Sequence, residues 1–207
     1  KIDFVTNVAH ERRTPLTLIN GPLENILLKK TVDPEIREDL NIMKQNTERL
    51  LSLTNQLLDF RKTESQGFRL NFAECNVTEV LKETYNRFTS LARQRELDFV
   101  LNVAEQDFYA HVNKEAFTKI VSNLLNNAVK YAETYVHVFL EMNGIGEKRM
   151  FYIRTVNDGV IIPNEMKEEI FKPFVRFNEK EDGKVTTGTG IGLALSRSFP
   201  KTHVHMF

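Results

Sequence analysis

DPEIREDLNIMKQNTERLLSLTNQLLDFR, residues 33–61, opens on an Asp-Pro helix start and then repeats Ile36, Leu40, Met43, Thr47, Leu50, Thr54 and Leu57 in a strict 4-3-4-3 rhythm. That rhythm is the seam of a coiled coil and predicts one helix up to about Arg61. Upstream, from Phe4 to about Lys29, Val5, Val8, Ile19, Leu23 and Ile26 mark one face of an earlier helix. Two such helices joined by a short turn make a hairpin that cannot bury its whole seam alone. A dimeric four-helix bundle is the expected solution.

Beyond Ser65-Gln66-Gly67 the pattern changes to short strands alternating with helices. Strands are predicted near Phe68–Phe72, Leu97–Val103, Phe108–Val112, Tyr135–Glu141 and Arg149–Val156. Helices are predicted near Val77–Arg95, Lys114–Tyr131, Asn164–Phe171 and Gly190–Ser198. The fold class is therefore α+β: an N-terminal helical hairpin over residues 1–65, then an α/β sandwich with a mixed sheet over residues 66–207. Asn178-Glu179-Lys180-Glu181-Asp182-Gly183-Lys184 is charged and without period, which predicts a mobile loop.

With 28 basic and 28 acidic residues the formal charge is zero, which argues against nucleic-acid binding. A single cysteine, Cys75, permits no internal disulfide and offers no metal-ligand spacing. No apolar run approaches the ~20 residues that cross a bilayer, so no direct membrane contact is expected of this stretch. The opening Lys1, already inside an amphipathic pattern, reads as part of a longer protein.

Near the middle of the first helix stands His10-Glu11-Arg12-Arg13-Thr14-Pro15-Leu16. A lone histidine on a helix face is by default a solvated or capping residue. Here Glu11 follows directly, and a carboxylate accepting the Nδ1 proton leaves the Nε2 lone pair free to attack phosphorus. An imidazole with an ordinary pKa of about 6.5 is mostly neutral in the cell and needs little activation. Pro15 removes a helix hydrogen bond just beyond the site, which favours bending there.

This H-E-x-R-T-P-L stretch resembles the phosphoacceptor motif of the dimerising sensor histidine kinases of bacterial two-component systems. The resemblance implies that His10 accepts the γ-phosphoryl group of ATP, that Glu11 is its base, and that Thr14 positions water for dephosphorylating a response regulator. Arg12 stands where the family usually has leucine, at a seam position between Val8 and Pro15. Its charge is expected to weaken the hairpin unless it snorkels outward.

In Asn123-Leu124-Leu125-Asn126-Asn127-Ala128-Val129-Lys130-Tyr131, three asparagines crowd a predicted helix interior, where asparagine is a poor helix former. Asn123 and Asn127 share a face and can offer oxygens to a hard cation, and Lys130 can balance phosphate charge. The segment resembles the asparagine box of the ATPase fold shared by histidine kinases, gyrase-type topoisomerases and the large heat-shock chaperone. That likeness implies ATP and Mg²⁺ as cofactors, with Asn127 the metal ligand, Asn123 and Lys130 near the phosphates and Tyr131 near the base.

Val156-Asn157-Asp158-Gly159-Val160-Ile161-Ile162-Pro163 resembles the family's adenine loop, D-x-G-x-G-I-P. Anchoring on Gly159, Ile162 and Pro163 places Asn157 where the adenine-reading aspartate belongs and Ile161 where a second glycine belongs. Asn157 is the first candidate reader of the base and Asp158 the second. Phe171-Lys172-Pro173-Phe174-Val175-Arg176-Phe177 resembles the phenylalanine box, with Phe174 at the nucleotide and Arg176 stabilising charge on the transferring phosphoryl. Gly188-Thr189-Gly190-Ile191-Gly192-Leu193 resembles the second glycine box, whose glycines let backbone amides approach phosphate.

Taken together, the resemblance implies an autophosphorylating histidine kinase that forms a homodimer through its hairpin and passes the phosphoryl group to an aspartate of a receiver domain. It also implies phosphatase action on that receiver, and the cytoplasmic portion of an inner-membrane sensor. Beyond about residue 198, Pro200 and the lack of closing strands suggest a truncated or altered end; His203 and His205 lack partner ligands for a metal. One rival is a dimerising pseudokinase scaffold, impaired by its altered adenine loop. Another is a chaperone- or topoisomerase-type ATPase, which leaves His10 on a hairpin unexplained.

Overall fold

The computed structural model describes residues 2–29, 33–64, 71–144, 150–177 and 189–198, with the backbone alone for residues 2–14 and 60–64. Helices α1 (Ile2–Leu27) and α2 (Pro34–Glu64) form the hairpin. They are followed by β1 (Ala73–Asn76), α3 (Val77–Gln94), β2 (Asp98–Val103), β3 (Tyr109–Val112), α4 (Lys114–Tyr131), β4 (Tyr135–Asn143), β5 (Met150–Asn157) and α5 (Gly192–Ser198). The α+β class is as the sequence indicates.

The hairpin turn is fastened by Arg37, whose guanidinium donates to the Leu27 and Lys29 carbonyls at 2.8 Å each and so satisfies the open end of α1. Helix α1 runs through Pro15 and Pro22 without a break. The seam of α2 divides by heptad position. Thr47 is 7% exposed, whereas Ile36, Met43 and Leu50, each seven residues from the next, are 56, 52 and 49% exposed. On α1, Leu23 is buried while Ile19 and Ile26 are exposed. One half of the seam thus closes the hairpin and the other remains apolar and open.

The sheet is in two parts. β2 pairs in parallel with β4, which pairs antiparallel with β5; β1 and β3 form a separate antiparallel pair. Val136, Val138 and Leu140 of β4 pack with Val77, Val80 and Leu81 of α3 and with Phe117, Val121, Leu125, Ala128 and Val129 of α4 into one core. Burying each such side chain contributes about 1.5–3 kcal/mol. Each helix is started by an asparagine: the Asn76 side chain accepts from Glu79 N at 3.0 Å, and that of Asn113 from Ala116 N at 2.9 Å. α3 stops in a Schellman turn, with Glu96 at φ 55° and Leu97 N donating to Ala92 O at 3.0 Å.

Several predicted boundaries are corrected. Asn71 and Phe72 are not in a strand; β1 begins at Ala73 because pairing with Tyr109–Val112 places the ladder there, directly against the Asn76 cap. The remainder of the predicted first strand, residues 68–70, lies outside the described residues. The predicted helix Asn164–Phe171 is two single-turn 3-10 helices, Asn164–Met166 and Glu169–Phe171, neither with a side-chain cap and neither presenting a buried residue. α5 begins at Gly192, since Gly190 has φ +68° and cannot be helical. The predicted loop at 178–184, Gly188 and residues 199–207 lie outside the described residues.

Candidate nucleotide site

α4 brings Asn123, Asn127, Lys130 and Tyr131 along its length, and its C-terminal end meets the loop after β5. Asn157, the last residue of β5, stands opposite Val136, whose side chain is fully buried. Cross-strand partners share a sheet face, so Asn157 lies on the side covered by α4. Its Oδ1 accepts from Gly159 N at 3.0 Å. A Cβ on Gly159 would overlap the Tyr131 carbonyl oxygen and stand 2.7 Å from its carbon, so only glycine lets this loop press against the end of α4.

Asp158 is turned to a different task. Its carboxylate accepts from Glu133 N (3.0 Å), Thr134 N (2.9 Å), Tyr135 N (3.2 Å) and the Thr134 hydroxyl. Those donors, the Thr134 hydroxyl foremost and then the backbone amides, outweigh desolvation and hold Asp158 well below the usual carboxylate range. On the other side of the same turn, the Arg95 guanidinium donates to Lys130 O (2.7 Å), Ala132 O (3.1 Å) and Val129 O. An anion gathers the N–H groups and a cation gathers the carbonyls, which fixes the turn carrying Tyr131. Residue type alone could not reveal this: a basic residue at a helix end suits its own helix, and only the fold shows that Arg95 caps α4.

A folded-state value lowered in this way gives stability that is complete above the unfolded carboxylate value of about 4 and is lost as pH falls below it. Asp158→Asn is therefore expected to be less stable than the wild type at pH 7, with the gap narrowing towards about pH 3. Urea unfolding of both proteins at the two pH values measures this, and a gap independent of pH would contradict it.

The remaining candidates divide by what they touch. The Asn123 amide donates to Gly192 O (3.0 Å) and Ser196 Oγ (3.1 Å), tying α4 to α5. Ala116, Ile120, Ile191 and Leu195 form a small apolar cluster between the same two helices. Asn127 is half-buried, and its side chain makes no hydrogen bond among the described residues. Lys130 Nζ folds back to the Tyr131 hydroxyl at 3.0 Å, over that ring. Phe174 is exposed at φ 66°, and its N–H donates to Gly190 O at 2.8 Å, joining the phenylalanine and glycine segments. Ile162 and Leu193 are at the surface and half-buried respectively, Arg176 is half-buried, and Ile161 is 87% exposed.

His10, Glu11 and Thr14 lie on α1 where only the backbone is described. The hairpin nevertheless touches the catalytic half through α2: Lys119 Nζ is 3.0 Å from Asp59 Oδ1, and the Thr189 hydroxyl donates to the Gln56 side chain. The sequence pattern carried no sign of these contacts. Among the described residues there is no group of three metal-binding side chains. A lone asparagine oxygen suits Mg²⁺ delivered with a nucleotide, because that ion keeps waters and phosphate oxygens as most of its ligands.

A coiled-coil hairpin joined to a two-layer sandwich, with an asparagine-bearing helix meeting a strand-end glycine loop, defines a phosphoacceptor module followed by an ATPase-fold module. Comparison with known proteins finds a matching family model for each module. A family model for the His Kinase A phospho-acceptor domain matches residues 1–66, and one for the histidine kinase-, DNA gyrase B- and HSP90-like ATPase matches residues 112–205. Histidine kinase P4 of Formosa agariphila is 31% identical over 205 residues, covering 98% of this chain and 15% of that protein. Sensor histidine kinase WalK of Bacillus subtilis is 29% identical over 202 residues, 97% of this chain and 33% of that protein. The chain therefore spans a third or less of the length of these relatives. Full-length ShkA, crystallised with AMPPNP, shares the fold: TM-score 0.75 at 23% identity, over 96% of this chain and 40% of that one. Histidine kinase ThkA, crystallised with the response regulator protein TrrA, gives a TM-score of 0.54 at 26% identity, over 84% of this chain and 50% of that one. The chain belongs to the histidine kinase family and carries the histidine kinase core of two-component signalling.

Proposed function

We propose that the chain transfers the γ-phosphoryl group of ATP to Nε2 of His10, and that the group then passes to an aspartate of a response-regulator receiver domain. The observation that carries this reading is the union, in one chain, of His10-Glu11 on a helical hairpin with the Asn127 helix and Asn157 loop of an ATPase-fold domain. In the transfer the bond between the γ-phosphorus and the bridging oxygen breaks, ADP leaves with that oxygen, and a phosphorus–nitrogen bond forms. Glu11 would hold the Nδ1 proton so that Nε2 stays unprotonated. Asn127 would take the Mg²⁺ that accompanies the nucleotide, an ion that neutralises phosphate charge when bound. Lys130 would move from the Tyr131 ring to the phosphates, with the Thr189–Gly192 backbone beside them and Arg176 facing the charge that develops. Of the two candidate base readers, Asn157 is favoured by its position on the α4 side, while the carboxylate of Asp158 is engaged by the 133–135 turn. Residues 1–65 would serve as phosphoacceptor and 66–207 as catalyst. Thr14 would position water for dephosphorylating the partner receiver.

With radiolabelled ATP and magnesium, the wild type is expected to acquire label that is acid-labile and alkali-stable, and His10→Gln none. Label that persists in His10→Gln would rule the reading out. The pseudokinase scaffold has one observation on its side, the exposed Ile161 in the position of a glycine, and absence of any label on a nucleotide-binding protein would favour it.

A homodimer through the hairpin is supported by the open stripe of Ile36, Met43 and Leu50. Placing a charge within it, as in Met43→Glu, costs several kcal/mol of association once desolvated. Sedimentation is expected to show a dimer for the wild type and a monomer for M43E; equal masses would contradict this. No helix among the described residues is long and apolar enough to cross a membrane. A place on the cytoplasmic side of a membrane-bound sensor is part of the same proposal.

A further inference from the structure

We propose that Gln56 and Asp59 of α2 are positioning residues for the phosphoryl transfer, docking the catalytic half so that its glycine segment stands level with His10. The inference rests on the reading of His10 as the phosphoacceptor. Height along the hairpin follows from its register. Lys44 of α2 meets Glu24 of α1 at 3.6 Å, and the two arms run in opposite directions from that pair. Fourteen residues back along α1 stands His10, and fourteen residues on along α2 stands Leu58, between Gln56 and Asp59. At ~1.5 Å per residue both lie about 21 Å from the anchoring pair, so the turn carrying Gln56 and Asp59 is beside the turn carrying His10.

Both contacts at that height go to the catalytic half. The Thr189 hydroxyl donates to Gln56 Oε1 and accepts from Ile191 N at 3.3 Å, so one hydroxyl links α2 to the bend that opens α5. Three residues further along α2, on the same face, Asp59 Oδ1 accepts from Lys119 Nζ of α4 at 3.0 Å. α4 and α5 are themselves joined by Asn123 and by the apolar cluster around Ile191 and Leu195. One turn of α2 thus grips both helices that flank the glycine segment. Folding does not depend on the ion pair: Lys119 also has Glu115 at 2.8 Å, and partly exposed pairs of this kind add little stability. Their effect is geometric. Two contacts to different helices set both where the catalytic half sits on α2 and how it is turned towards the histidine.

The test is a charge exchange in the full 207-residue chain, reading the initial rate of His10 labelling from radiolabelled ATP with magnesium and, by calorimetry, the affinity for ATP. Asp59→Lys faces Lys119 with a second ammonium, and Lys119→Glu faces Asp59 with a second carboxylate. Each is expected to slow labelling by at least about tenfold, with melting temperature unchanged and ATP affinity within about twofold of the wild type. Gln56→Ala, which removes the other contact without adding charge, is expected to slow labelling in the same direction. The double variant D59K/K119E restores an ion pair and is expected to return to within about threefold of the wild-type rate. Undiminished labelling in both single charge variants overturns the inference, as does a double variant no faster than they are. Faster labelling overturns it too, because the contact would then restrain the transfer. A fall in ATP affinity as large as the fall in rate assigns the pair to the fold of the nucleotide site and overturns it likewise. A wild type that gains no label on His10 overturns the reading of that histidine itself, and the inference with it.

Discussion

Gly159→Ala is expected to lose nucleotide binding and to destabilise the catalytic half by about 2–4 kcal/mol, more than an ordinary surface change. The added Cβ would overlap the Tyr131 carbonyl, and the obstacle is backbone, which no rotamer change can relieve. Tyr131 cannot retreat, because the Arg95 guanidinium holds the carbonyls on either side of it and Asp158 holds the amides of Glu133, Thr134 and Tyr135. Relief therefore requires the Asn157–Gly159 loop to lift, which also releases the Asn157 side chain from Gly159 N. Gly21, on an exposed face of α1, is the matched control: a Cβ there meets nothing within 4 Å, and alanine is expected to be neutral or to stabilise by up to about 1 kcal/mol. Denaturant unfolding of the two variants measures the contrast, and equal stabilities would refute the packing argument.

Asn127→Ala is expected to weaken binding of Mg–ATP by roughly a hundredfold or more while leaving the melting temperature nearly unchanged. The reason is that the Asn127 side chain makes no hydrogen bond among the described residues, so removing it deprives only a bound ion. Asn123→Ala is expected to behave in the opposite way. Its amide bridges α4 to Gly192 O and Ser196 Oγ, and the loss of two hydrogen bonds in a half-buried place costs about 1–3 kcal/mol. Calorimetry of binding and unfolding on both variants separates the roles. A destabilised N127A that still binds Mg–ATP tightly would assign Asn127 to packing instead.

The sequence made the hairpin legible because a heptad seam is a strictly local pattern, and Ile36, Met43, Thr47 and Leu50 announce it without reference to the rest of the chain. α4 was legible too: the predicted helix Lys114–Tyr131 is the one observed, and its Phe117, Val121, Leu125 and Ala128 all pack into the core. The short segment 164–171 was not, since its two 3-10 turns have no cap and bury nothing, so a helical pattern there has no packing to support it. β1 was displaced because a period-2 apolar run shows what could be a strand, whereas its partner β3 decides where the ladder forms. In the site, the asparagine helix and the glycine loop could be named from residue types. What fixes them could not: Arg95 and Thr134 are ordinary residues until the fold brings them to the carbonyls of α4 and the carboxylate of Asp158. The contact of Gln56 with Thr189, 133 residues apart, is likewise a property of the assembled chain.

The most direct measurement is phosphosite mapping by mass spectrometry under alkaline conditions, on wild type and Asn127→Ala incubated with magnesium and ATP. Phosphate on His10 in the wild type and on no residue in N127A is the predicted result. Phosphate on another residue, or on His10 equally in both proteins, would contradict the claim that a nucleotide held at the asparagine helix phosphorylates the hairpin histidine.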